Sequence, residues 1–153
     1  MPRELHISDE GFYARKQVFS KSRLIAFSHR QRFLAGLDLA GPLADRKRVL
    51  DYGCGDGAFM EALLGSGSHP LEVIGAEIGA DLIENCRSRF QARPDLRFVL
   101  IDELASIAAG ASIDLIVCME VLEHAVDLEA TLDHLHSLLS RDPFGCIIDY
   151  HCP

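Results

Sequence analysis

With 153 residues, 48% of them hydrophobic and 25% charged, the chain has the length and balance of one globular domain, which excludes disorder over most of it. A net charge of −8 argues against nonspecific binding to nucleic acid or to an anionic membrane surface. No apolar run approaches the roughly 20 residues of a membrane span, and the charged start (Arg3, Glu4, His6, Asp9) is unlike a secretory signal.

In chain order, residues 1–19 read as an irregular arm, and Ser20 as the cap of a helix running to about Leu39. Leu24, Phe27, Leu34 and Leu37 recur at helical spacing, which predicts that they face the core, and Gly41-Pro42 ends the helix. Residues 11–32 carry Arg15, Lys16, Lys21, Arg23, Arg30 and Arg32 and no acid, so this stretch is either a solvated helix surface or a basic face for an anionic group. Strand and helix signals then alternate. Residues 48–52 read as a first strand, Ala58–Leu64 as a helix, and Val73–Glu77 as a second strand. Ala80–Phe90 follows as a helix, Leu96–Ile101 as a third strand, Glu103–Ala109 as a short helix or turn, and Ile113–Cys118 as a fourth strand. Asp127–Leu139 is a helix with Leu128, Leu132, Leu135 and Leu139 on one face, and Cys146–Tyr150 is a fifth strand.

This alternation defines an α/β fold, a doubly wound, mostly parallel sheet with helices on both faces. The strands are apolar without alternation, as burial on both faces requires. Residues 1–45 form an N-terminal arm and helix and residues 46–153 the α/β core, together one compact domain. The five cysteines, widely spaced, fit reduced thiols packed as small hydrophobes and a cytoplasmic setting.

The chemistry sits in the loops that follow the strands, where ligands of such sheets bind. Gly53, Gly55 and Gly57 follow the first strand and open a helix, a place where backbone N–H groups take an anion and a ligand approaches closely. Spacing alone also satisfies a dinucleotide fingerprint. The acids separate the two cofactors: Asp51 precedes the glycines and Asp56 lies among them, so a pyrophosphate would meet like charge. S-adenosylmethionine carries an ammonium, a sulfonium and a single carboxylate, and one close opposite pair is worth about 4 kcal/mol before desolvation. Glu77 ends the second strand about 20 residues on, where a carboxylate accepts ribose hydroxyls. Asp102 and Glu103 follow the third strand, either to meet an adenine amine or, at Asp102, to cap a helix.

At these residues the chain resembles the class I S-adenosylmethionine-dependent methyltransferases. Val49–Gly57 resembles their first motif, Val73–Ile78 their second strand with its ribose acid, and Asp114–His124 their fourth-strand motif, so the likeness covers roughly residues 46–150. It implies a Rossmann-like sheet in the order 3-2-1-4-5. It implies that Asp51, Gly53, Cys54 and Gly55 hold the methionine part, that Glu77 binds the ribose, and that Ile78 packs on adenine with Asp102 and Glu103 beside it. Cys118 and Met119 would line the cofactor near its methyl group, Glu120 and His124 would serve catalysis, and Tyr13 with the helix after it would lie where the family often has a lid. The implied reaction moves a methyl group to a small-molecule or glycolipid-type acceptor and leaves S-adenosylhomocysteine.

Other readings stay open beside this one: a cofactor-binding domain without turnover, a metal-assisted RNA 2'-O-methyltransferase using Glu120, Glu123 and His124, and a nicotinamide-dependent oxidoreductase. Two features depart from the family. The stretch 141–146 replaces the usual Pro-Gly-Gly turn, and the sequence stops after the fifth strand, where the family continues with a helix and two more strands. A truncated C-terminus is therefore expected, with the fifth strand's edge covered by a second copy in a homodimer or by the N-terminal helix. His151 falls at the cleft end of that strand.

Overall fold

Runs such as Val49-Leu50 and Leu115-Ile116-Val117 bury their side chains on alternate faces of one sheet, so a helical layer must cover each face. The computed structural model describes residues 5–43, 48–67, 70–108, 113–139 and 146–150. The expected boundary at residue 45, the turn at 141–145 and His151 lie outside them.

Two helices come first, α1 (Phe12–Lys16) and α2 (Arg23–Ala40). Strand β1 (Arg48–Tyr52), α3 (Ala58–Gly65), β2 (Glu72–Glu77), α4 (Ala80–Arg89) and β3 (Leu96–Leu100) follow. A 3-10 turn (Ile101–Glu103) leads into α5 (Leu104–Ala108), β4 (Leu115–Met119), a second 3-10 turn (Leu122–His124), α6 (Leu128–Leu138) and β5 (Cys146–Tyr150). The five strands pair in parallel in the order β3-β2-β1-β4-β5, as the sequence implied.

One core layer joins Val49, Val73, Phe98, Leu115 and Val117 of the sheet to α1, α2, α3 and α4. The other joins Leu50, Ile74, Val99, Ile116 and Cys118 to α5 and α6. The N-terminal helix is thus part of the core: Phe33, Leu37 and Ala40 pack in the first layer, and α2 lies against β4 and β5.

Five local expectations are corrected. The arm is not wholly irregular, because it contains α1, and Ser22 rather than Ser20 precedes α2. Leu24 and Phe27 do not face the core; they are 78% and 61% exposed. On α6 the apolar stripe is buried only toward its C-terminal end, at Leu135 and Leu138, while Leu128 and Leu132 face outward. The fourth strand begins two residues later than expected, and Ile113 makes a single bridge to Leu139 instead.

Leu63, 1% exposed in α3, and Leu24 test this division. Leu63→Ala should cost about 2–5 kcal/mol in chemical denaturation, whereas Leu24→Ala should cost less than about 0.5 kcal/mol.

Candidate cofactor-binding site

The sheet order reverses between β1 and β4, and the loops after these strands part there to form a cleft of about 420 Å³. Its floor is the turn from β1 into α3. Gly53 has φ 77°, and a Cβ there would run into the Val121 side chain, so this position requires glycine on both counts. The Gly53 and Cys54 N–H groups both donate to the carbonyl of Ala76 (2.8 and 3.1 Å), which ties the loop to the end of β2. Gly55 N–H donates to Glu77 Oε2 (3.0 Å), and Ile78 N–H to Glu77 Oε1 (2.7 Å). Glu77 is therefore oriented by two backbone donors and keeps lone pairs for others. Ile78 and Ile101 border the cleft beside it, and Ile78 is 79% exposed, a flat apolar surface next to a hydroxyl-binding acid.

Asp51 is the next-to-last residue of β1. It is fully buried, and its Oδ2 has no hydrogen-bond partner among the described residues. Burial, then the neighbouring charges of Glu77 and Asp56, push its carboxyl up to about 7. Asp56 is engaged within the protein instead. Its Oδ2 accepts the N–H of Ala14 in α1 (2.9 Å), and its Oδ1 accepts that of Ala58 at the start of α3 (3.3 Å). Of the two acids around the loop, Asp51 alone has a carboxylate oxygen left without a partner.

The remaining sequence candidates divide. Met119, Glu120 and His124 border the cleft. Glu120 has φ 56°, uncommon for a residue with a side chain, and its carboxylate pairs with Arg32. Glu123 is exposed and does not line the cleft, so Glu120, Glu123 and His124 do not converge, and the described residues hold no cluster able to bind a metal ion. Cys118 was expected beside the cofactor, but strand alternation turns it into the opposite core layer, where burial pushes its thiol up to about 12. The Cys54 and Cys86 thiols both donate to the Gly55 carbonyl (3.9 and 3.5 Å), and the neighbouring Cys86 thiol, then burial, raises the Cys54 thiol well above its usual range. Glu103 turns away from the cleft to accept the N–H of Leu100 (3.1 Å), with Arg87 at 3.8 Å. Asp102 is exposed beside Ile101 and caps no helix through its side chain.

Sequence reasoning missed Arg32. It is 7% exposed, borders the cleft, pairs with Glu120, donates to Gln17 Oε1 (3.2 Å), and has a buried Nε without a partner. The only signal was its place in the acid-free stretch, where it looked like five solvated neighbours.

A doubly wound sheet with a glycine loop and a ribose-type acid at its switch point defines a Rossmann-like cofactor-binding domain. Residues 26–150 match the family model described as a methyltransferase domain, and the chain belongs to that family. It is 32% identical over 111 residues to the ubiquinone biosynthesis O-methyltransferase of Psychrobacter arcticus, covering 69% of this chain and 40% of that protein. It is 37% identical over 90 residues to the Bordetella avium protein of the same name, covering 59% and 36%. The chain thus spans well under half the length of these curated relatives. The N-methyltransferase NodS of Bradyrhizobium japonicum, solved with S-adenosyl-L-homocysteine, superposes with a TM-score of 0.64 at 21% identity, over 93% of this chain and 66% of that one. YcgJ of Bacillus subtilis superposes with a TM-score of 0.62 at 23% identity, over 79% and 50%. At these identities the likeness is one of fold.

The raised Asp51 carboxyl implies a stability cost. The folded state holds the proton to about pH 7 and the unfolded chain releases it near 3.8, so stability falls as pH rises between these values, by on the order of a few kcal/mol. Asp51→Asn should therefore raise the Tm of the ligand-free protein at pH 8 and leave it nearly unchanged at pH 4, as thermal unfolding at the two pH values would show.

Proposed function

We propose that this domain binds S-adenosylmethionine and that the protein transfers its methyl group to a small-molecule acceptor. The observation that carries the reading is the buried Asp51 carboxylate, which lines the cleft with one oxygen partnerless among the described residues. A lone buried acid costs stability unless a cation or donor meets it. Arg32 presents the complementary need, a buried N–H donor without an acceptor on the same cleft. An amino acid group, cationic at one end and anionic at the other, satisfies both, and a pyrophosphate satisfies only the second. The residues present therefore fit the methionine part of the cofactor, with Asp51 facing its ammonium and Arg32 its carboxylate. Glu77 would take the ribose hydroxyls, Ile78 and Ile101 the adenine faces, and Asp102 the adenine amine.

When bound, the cofactor supplies an electrophilic methyl group on a good leaving group. The chain then has to hold the acceptor in line and exclude water, and positioning of this kind is worth on the order of 7–11 kcal/mol in favourable cases. Met119 and Phe33 give that part of the cleft an apolar wall. His124, exposed on the cleft, would take a proton from an acceptor hydroxyl. The relatives named as O-methyltransferases support oxygen as the acceptor atom. Among the described residues β5 is an edge strand, which suits pairing with a second copy in a homodimer; light scattering should then give twice the mass of the chain, and a monomer would count against it.

The cofactor reading is tested by calorimetry with S-adenosylhomocysteine. An ammonium beside Asp51 lowers its pKa, so binding releases a proton below about pH 7. Affinity should be about tenfold weaker at pH 6 than at pH 8 and level above that. Asp51→Asn should bind weakly with no such slope. Affinity independent of pH in the wild type, or binding of a nicotinamide dinucleotide instead, would overturn the reading.

A further inference from the structure

The glycine loop does more than face the cofactor: it holds a helix of the N-terminal arm in place. Helix α1 is only five residues long, begins at Gly11 without a side-chain cap of its own, and needs acceptors for its first N–H groups. Asp56, 2% exposed, supplies one from 42 residues away, through the 2.9 Å bond from Ala14 N–H. Three further contacts seat the same segment. A Cβ on Gly11 would run into the Asp56 carboxylate, so the arm approaches the loop as closely as only glycine permits. The Tyr13 ring lies over Gly55, 3.4 Å from where a Cβ would stand. Arg89 of α4 donates to the Asp56 carbonyl (2.7 Å) and to Ser8 Oγ (3.2 Å), joining the loop to the arm a second time.

What the loop holds is a wall of the cleft. Tyr13, Ala14, Gln17 and Val18 border it, and Gln17 is the residue that receives Arg32. We propose that Asp56 is a positioning residue: its carboxylate acts on α1 rather than on the cofactor, and through α1 it assembles the wall that closes over the ligand. A distortion of the glycine loop is then felt at Tyr13 and Gln17, and ordering of α1 is felt at the loop. The inference rests on the cofactor reading for its choice of ligand, but not for the contact between loop and arm.

Three variants separate this role from a direct electrostatic one. Asp56→Asn loses the charge and keeps one oxygen, for the Ala14 N–H, giving up only the longer bond from the Ala58 N–H. Asp56→Ala loses both. Gly11→Ala leaves the loop's sequence intact and pushes the arm away from it. Amide hydrogen exchange of residues 11–19, without ligand, should rise in Asp56→Ala and Gly11→Ala and stay near wild type in Asp56→Asn. Affinity for S-adenosylhomocysteine should fall about tenfold in the first two and less than threefold in Asp56→Asn, and the Asp56→Ala/Gly11→Ala double variant should be little worse than either single one. Equal losses in Asp56→Asn and Asp56→Ala would show that charge is what matters and overturn the proposal. Unchanged exchange at 11–19 in Asp56→Ala would overturn it too. If the wild type bound no S-adenosylhomocysteine, the cofactor reading would fall, while the exchange measurements would still decide whether Asp56 holds α1.

Discussion

The burial of β1 on both faces is the constraint on which the molecule depends. Val49 packs into one core layer and Leu50 into the other, and both are wholly removed from water. A strand placed so centrally can turn only at its carboxyl end, and there the chain must leave the sheet between two neighbours that run parallel to it. The glycine loop is that exit. Asp51 is carried by the same strand, so its carboxylate is buried because its neighbours are. A charge held in such a place is costly alone and strongly attractive to a cation, so the element that anchors the core also creates the site's main electrostatic demand.

Around this point the polar groups are divided between holding and binding. Asp56 and Arg89 are taken up within the protein, in bonds that join loop, arm and α4. Glu77 is half engaged, fixed by two backbone donors. Asp51 Oδ2 and Arg32 Nε are left over. Glu120 belongs to the same pattern. Its left-handed backbone turns the chain out of β4, and its ion pair holds Arg32 at the cleft while leaving Nε free.

Much of this was legible in the residues. Apolar runs separated by helical periods marked the sheet and its helices, and the acid–glycine pattern after the first two strands placed Asp51, Gly53, Gly55 and Glu77 where they are found. The failures have a common cause. Leu24 and Phe27 have the spacing of a buried stripe but lie on the first turns of α2, whose buried residues begin only at Arg32 and Phe33. Cys118 stands next to Met119 in sequence and on the opposite face in space. Asp56 and Glu103 are acids near the cleft whose carboxylates are already engaged by backbone N–H groups. Arg32 is one of six basic residues in a row of similar appearance, and only its packing distinguishes it.

The sequence by itself therefore determined the alternation of strands and helices from β1 onward and the loop that faces the ligand, because periodicity, glycine placement and strand-end acids are local properties, while the strand order followed from the family resemblance. Only the tertiary structure decided which charges are free to bind. That depends on the partner each side chain meets from a distant part of the chain, as Asp56 meets Ala14, Arg32 meets Glu120 and Arg89 meets Ser8, and no local pattern records such partners.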